Sequence, residues 1–330
     1  MAKGIIELNS SIISSASIVG SNEYEGPLGD LFDMHDKNDY FGMDTWERAE
    51  SEMQRRALAV AMKKAELSDG DLGALFAGDL LNQCTASGYG LLEYNIPFFG
   101  LYGACSTSVE GMILASVYHS AGHAERTAVV VSSHYCSAER QYRTPVEYGG
   151  QRSPTAQWTV TGAGAFIIGD GGRAKIKMAM GGIAMEKGIS DASNMGAAMA
   201  PAAADTLTRF FLETGTKPKD YDIIVTGDLG YEGGAILCSL MLNEGYDIRN
   251  NYTDCGMLIY SKSSQDKHAG GSGCGCAATV ASAYLIPKIE KGELGNVLLM
   301  ATGAMMSPMS IMQGEPIPAV AHLVNIRGVR

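Results

Sequence analysis

The stretch GACSTSVEGMILASVYHSAGHAERTAVVVSS, residues 103–133, decides the fold, because the chain writes it twice. A second version, GCGCAATVASAYLIPKIEKGELGNVLLMATG, occupies residues 273–303, 170 positions further on. Each opens with a loop of small residues, continues as a helix, breaks at a glycine (Gly122 and Gly292) and ends in an apolar strand. TAVVVSS (127–133) is a β-branched run of the kind that is buried on both faces of a sheet. Further out, LFAGDLL (75–81) is matched by IVTGDLG (224–230), which sets Asp79 opposite Asp228. Both matches run in the same order along the chain, as a duplication requires, with residues 1–170 as one half and residues 171–330 as the other. Strands and helices alternate and the strands are fully apolar, so the class is α/β, with sheets covered by helices.

Two other segments complete this plan. TWERAESEMQRRALAVAMKK (45–64) places Trp46, Ala49, Met53, Ala57, Val60 and Ala61 on one helical face, with Asp44 as the expected cap. At the seam, GAGAFIIGDGG (162–172) closes one strand and AKIKMAM (174–180) begins the next. Gly169, Gly171 and Ala174 imitate a dinucleotide fingerprint, but that motif must open a helix and this one opens a strand.

Composition narrows the function classes. Of 330 residues, 46% are apolar and 18% charged, which excludes intrinsic disorder. The 36 acidic against 25 basic residues leave a net charge of −11, so nucleic acid is not an expected partner. The uncharged stretches 268–287 and 294–314 are broken by glycine or proline, and neither offers the ~20 apolar residues of a membrane span. Glu7 and the serines of SSIISSAS interrupt any signal-peptide core. Seven irregularly spaced cysteines fit reduced thiols in a cytosol-like compartment.

Cys105 follows a Gly-Ala turn and precedes a helix with Val109, Met112, Ile113, Ser116 and Val117 on one face. A thiol there faces unpaired N–H groups, an arrangement that favours thiolate and suits either a covalent nucleophile or an anion site. Filling of a tight turn by a small residue is the structural alternative. His134, at the end of TAVVVSS, is the best-placed base for a Cys105–His134 dyad, and His268 lies six residues before Cys274. Cys274 and Cys276 form C-x-C, a poor match to structural zinc spacings, so no metal site is expected.

A duplicated chain with this cysteine turn, and with GAGAFIIGDGG closing its first half, resembles the thiolase superfamily of thiolases and ketoacyl synthases. The resemblance implies a five-layered αβαβα sandwich of two similar halves, usually a homodimer. Ketoacyl synthases of the acyl-initiating type carry His and Asn in an H-x-x-N turn after the strand matching DIIVT. Those positions are Gly227 and Gly230 here, and the second catalytic Asn falls at Cys274. Glycine supplies neither a base nor a donor, so acyl transfer is not expected; an acyl-thioester enzyme with an altered base is the alternative.

EGPLGDLFD (25–33), AGDLLNQ (77–83), AERQYRTPVEYGGQ (138–151), AMAPAAADT (198–206) and ATGAMMSP (301–308) are similar to a narrower sporulation family within the superfamily. That resemblance implies non-enzymatic binding of dipicolinic acid (pyridine-2,6-dicarboxylate), free or as its calcium chelate, for a spore membrane complex. No cofactor is implied, and calcium enters only with the ligand. The protein is expected in the forespore or spore, held at the inner membrane through partner proteins. The expected ligand-binding set is Cys105, Asp79, Asn82, His134, Asp228, Gly227, Gly273, Cys274 and Arg143, with Tyr142, Tyr148 and Trp158 available to stack on the ring and Arg140 and Arg152 as further cations.

Overall fold

The computed structural model describes residues 4–142 and 153–329. In chain order its first part comprises β1 (Ile5–Val19), α1 (Ser21–Tyr24), β2 (Met34–His35), α2 (Trp46–Lys64), β3 (Ala74–Gly78), α3 (Thr85–Gly90) and β4 (Phe98–Gly100). There follow α4 (Thr107–Ser120), β5 (Thr127–Ser133), α5 (Tyr135–Tyr142), β6 (Trp158–Thr159) and β7 (Gly162–Gly169). The second part comprises β8 (Ala174–Met180), α6 (Met195–Thr214), β9 (Ile223–Thr226), α7 (Gly230–Asn243), β10 (Tyr252–Asp254), α8 (Cys255–Ile259) and β11 (Gly271–Ser272). It ends with α9 (Cys274–Val280), α10 (Ile286–Glu290), β12 (Asn296–Ala304), α11 (Pro308–Met312) and β13 (Ala319–Gly328).

The main sheet runs β10-β9-β12-β13-β8-β1-β7-β5-β3-β4. From each outer edge inward the connections are identical: two parallel pairs, then two antiparallel ones, with β1 and β8 meeting antiparallel at the centre. Three apolar clusters separate the layers. One packs α2 against β1, β3, β5 and β7, through Met53, Ala57, Ala61 and Ile167. Another packs α6 and α7 against the second-half strands, through Phe210, Leu237, Met300 and Leu323. Between them α4 and α9 share a cluster with both sets of strands, including Met112, Val131, Ala278 and Leu299. The result is the five-layered αβαβα arrangement of the thiolase fold.

The long helices form where periodicity places them, with two corrections. Thr45, not Asp44, caps α2: its hydroxyl accepts from the Arg48 amide at 3.3 Å. Val117 of α4 is 38% exposed, so the buried face ends at Ser116. The second repeat's helix is interrupted where α9 passes through a wide π turn at Ala281–Leu285 into α10. Pro287 has no N–H for a regular α-turn, and the wider turn accommodates that loss.

Candidate functional site

The two repeat loops meet face to face, which brings Cys105 and Gly273 together. Ala104 has φ +50°, an unusual conformation for a residue with a Cβ, and the turn is held from several sides. The Cys274 thiol donates to the Ala104 carbonyl at 2.9 Å and the Thr107 hydroxyl donates to the same oxygen at 2.7 Å. From the second half, Gly303 lies so close that a Cβ there would overlap the Gly103 carbonyl oxygen.

Cys105 opens onto a cleft lined by both halves. Its buried side comprises Cys105, Ser272, Gly273 and Ala304, with Leu80 and Ala138 as apolar walls. Glu139, Thr159, Tyr102, Tyr142, Met195 and Met306 complete the lining, and the free space is about 40 Å³. A larger open groove of about 580 Å³ lies beside His119, Arg126 and Asp170 and contains none of the expected site residues.

The surroundings of Cys105 oppose ionisation of its thiol. Helix α4 begins two residues after Cys105, and the amides of Ser106 and Thr107 are spent on the Gly103 and Ala104 carbonyls. The expected thiolate, and the expected carboxylate cradle at this helix start, therefore lose their first two donors. Burial, with the Asp228 carboxyl as a second cause, pushes the Cys105 thiol up to about 12. Its polar neighbours are the Ser272 hydroxyl, with Sγ and Oγ 3.5 Å apart, and the Gly273 amide.

Of the expected ligand set, Cys105 and Gly273 line the cleft, as does Tyr142 from the aromatic candidates. His134 is turned away: Nε2 donates to the Asp39 carbonyl at 2.9 Å and Nδ1 accepts from the Cys136 amide at 3.2 Å. Burial lowers its pKa, leaving the ring neutral, and no Cys105–His134 dyad forms. His268 is paired with Asp266 at 2.8 Å, outside the cleft lining. Asp79 is buried beneath its own turn, accepting from the Leu81 amide at 2.9 Å and from the Ser87 amide and hydroxyl at 2.8 and 2.6 Å. It shapes the start of α3 and does not line the cleft. Asn82 lies in a separate groove, where its amide donates to Gln141 at 3.0 Å.

Gly227 follows the last residue of β9 and Cys274 is wholly buried, and neither lines the cleft. Asp228 is also fully buried, and both its carboxyl oxygens lack a hydrogen bond of ordinary geometry. The Gly273 and Thr302 amides are its nearest stabilising groups, and burial followed by Asp254 raises its pKa well above the usual carboxylate range. Trp158 is stacked on Tyr135, ring centroids 3.9 Å apart, with the Lys267 ammonium 3.2 Å from its centroid, and is therefore occupied. Arg140 pairs with Glu47. Arg143, Tyr148 and Arg152 lie outside the described residues.

The sequence reading missed Tyr102, Glu139, Thr159, Ser272, Met195 and Met306. Two carried a usable signal: Tyr102 stands three residues before Cys105, and Met306 closes the run after the second repeat's strand.

Comparison with known proteins agrees with this architecture. Residues 3–327 match the family model of stage V sporulation protein AD (SpoVAD). The chain is 42% identical over 310 residues to stage V sporulation protein AD of Bacillus subtilis (strain 168), covering 94% of this chain and 91% of that one. Among solved structures it is similar to 3-oxoacyl-[acyl-carrier-protein] synthase III of Aquifex aeolicus VF5, with TM-score 0.59 and 14% identity over 96% of this chain and 99% of that one. It is likewise similar to cerulenin-bound OleA of Xanthomonas campestris, with TM-score 0.58 and 15% identity over 97% of each. At such identity the likeness to these two structures is one of fold.

Proposed function

The chain belongs to the stage V sporulation protein AD family, and from that premise we propose that it binds dipicolinate in the Cys105 cleft without chemistry. It is a sporulation protein with a thiolase-like fold, and its ligand is the free dicarboxylate or its calcium chelate. The observation that carries the non-enzymatic reading is the loss of room for catalytic partners. At Gly227 a Cβ would lie 2.7 Å from the Ala277 Cβ, and at Gly230, φ +61°, it would overlap the Ala269 carbonyl oxygen. A histidine and an asparagine are therefore excluded by packing where acyl-initiating synthases place them. The cysteine turn remains as the floor of a concave, largely apolar cleft that would take a small planar ligand on opening.

No helix among the described residues is long and apolar enough to cross a membrane. Attachment at the spore inner membrane is accordingly assigned to other stage V sporulation A proteins. Pairing of two copies is supported by edge strand β4, where Phe98 and Phe99 are 44% and 42% exposed. Nucleic acid has no part in this reading, and calcium takes part only within the ligand.

Glu139 favours one rival, an acyl-thioester enzyme, because its carboxylate shares the cleft with Cys105. Thermal unfolding with added dipicolinate separates the two readings. Binding to the native state raises the midpoint, and Met306→Trp, which fills the cleft, abolishes the rise. An acyl adduct on Cys105 that forms and turns over in the presence of an acyl-thioester establishes the rival instead.

A further inference from the structure

The cleft is closed by two tyrosines. The hydroxyl oxygens of Tyr102 and Tyr142 are 2.7 Å apart, and that of Tyr142 is also 2.7 Å from the Leu80 carbonyl oxygen. A carbonyl only accepts, so Tyr142 gives its single proton to Leu80 and Tyr102 donates to Tyr142. The two members of the pair are held differently. Tyr142, at the end of α5, is anchored to the turn that Asp79 braces. Tyr102 is 42% exposed, and Tyr142 is its one hydrogen-bond partner among the described residues. It can turn out to water without leaving a buried group unpaired. Beneath the pair Cys105 is only 5% exposed, and the free space of about 40 Å³ admits a water molecule but no aromatic ring.

We propose that Tyr102 and Tyr142 are the recognition residues of this cleft. Bonded to each other they shut it over Cys105; parted, they present a hydroxyl donor and a flat ring edge to a planar carboxylate ligand. The inference rests on the reading of the cleft as a binding site. Opening exchanges a neutral hydroxyl–hydroxyl bond for a hydroxyl–carboxylate bond, which is shorter and stronger. Burial pushes both phenols above their ordinary range, so they stay protonated donors. The Leu80, Met195 and Met306 side chains supply apolar surface for the ring, and methionine adapts its shape to a ligand as it enters. The closed pair also sets the cost of entry, since apparent affinity is reduced by the fraction of molecules that are open.

The test reads the latch without requiring a ligand. Methyl methanethiosulfonate labelling of the full chain is followed residue by residue by peptide mass, in the unaltered protein, Tyr102→Phe and Tyr142→Phe. Loss of one hydroxyl bond is expected to speed labelling of Cys105 about fivefold in Tyr102→Phe. Cys238 on α7, partly exposed and outside the cleft, keeps its rate and serves as the control. Equal Cys105 rates in all three proteins, with unchanged thermal midpoints, overturn the latch. Added dipicolinate is expected to slow Cys105 labelling in the unaltered protein, and to do so less in Tyr102→Phe. Protection of equal strength in both overturns the recognition role. Absence of protection, with Tyr102→Phe still faster, overturns the dipicolinate reading and leaves the latch standing.

Discussion

Cys105 shows how far a residue's chemistry depends on what the fold places around it. A cysteine near a helix start reads as a low-pKa thiol, but here burial and the nearby Asp228 drive it the other way, to about 12. Its alkylation by iodoacetamide is therefore expected to rise only at strongly alkaline pH. A midpoint below that of an ordinary cysteine, read by peptide mass against pH, contradicts the assignment. Asp228 carries a second prediction. Buried, with no hydrogen bond of ordinary geometry to either carboxyl oxygen, it costs stability whenever it ionises. Asp228→Asn is expected to raise the thermal midpoint, by more at pH 8 than at pH 5. A lower midpoint at both pH values contradicts it. Neither result was legible in the sequence, where Asp79 and Asp228 stand in matching GDL turns. Asp79 finds three donors, the Leu81 amide and the Ser87 amide and hydroxyl, whereas the Gly230 amide, which matches that of Leu81 in the second half, is taken by Asp254.

At the scale of elements the repeat made the strands readable. ALFAG, TAVVVSS and AKIKMAM are β3, β5 and β8 to the residue, because each is a buried apolar or alternating run with a clear end. The short elements α3, β4 and β11 carry too few residues for a period and emerge only from tertiary contact. The same limit hid most of the cleft. Its lining comes from separate segments around Leu80, Tyr102, Tyr142, Thr159, Met195, Ser272 and Met306, and no local pattern joins them. Gly227 and Gly230 belong to this scale too, because elements pack on them. Restoring His and Asn through Gly227→His and Gly230→Asn is expected to cost several kcal/mol, from overpacking at one position and a left-handed φ at the other. An unchanged midpoint in the double variant contradicts that account, and new condensing activity contradicts it more strongly.

Over the whole molecule, the layered fold buries acids on which the sequence reading was silent. Burial raises Glu23 to about 7, Glu50 to about 8 and Asp254 to about 6, each from an ordinary carboxylate value. The native state thus holds protons that the unfolded chain has already released, so this contribution is full below about pH 4 and is lost as pH rises toward 8. Thermal midpoints are expected to fall steadily from pH 5 to pH 8.5, and Glu50→Gln is expected to flatten the fall. A midpoint that climbs over that range contradicts the assignment. The two-half strand order, with β1 and β8 side by side, places the small-residue loops of both repeats at one seam. The proposed binding needs only that seam, whereas a histidine at Gly227 or an asparagine at Gly230 would meet the packing there. Calorimetric titration of the full chain with dipicolinate, with and without calcium, tests this most directly. The account predicts saturable binding of one ligand per chain that is lost in Met306→Trp and leaves the mass of Cys105 unchanged. Absence of heat under both conditions, together with an acylated Cys105 that turns over a thioester, contradicts it.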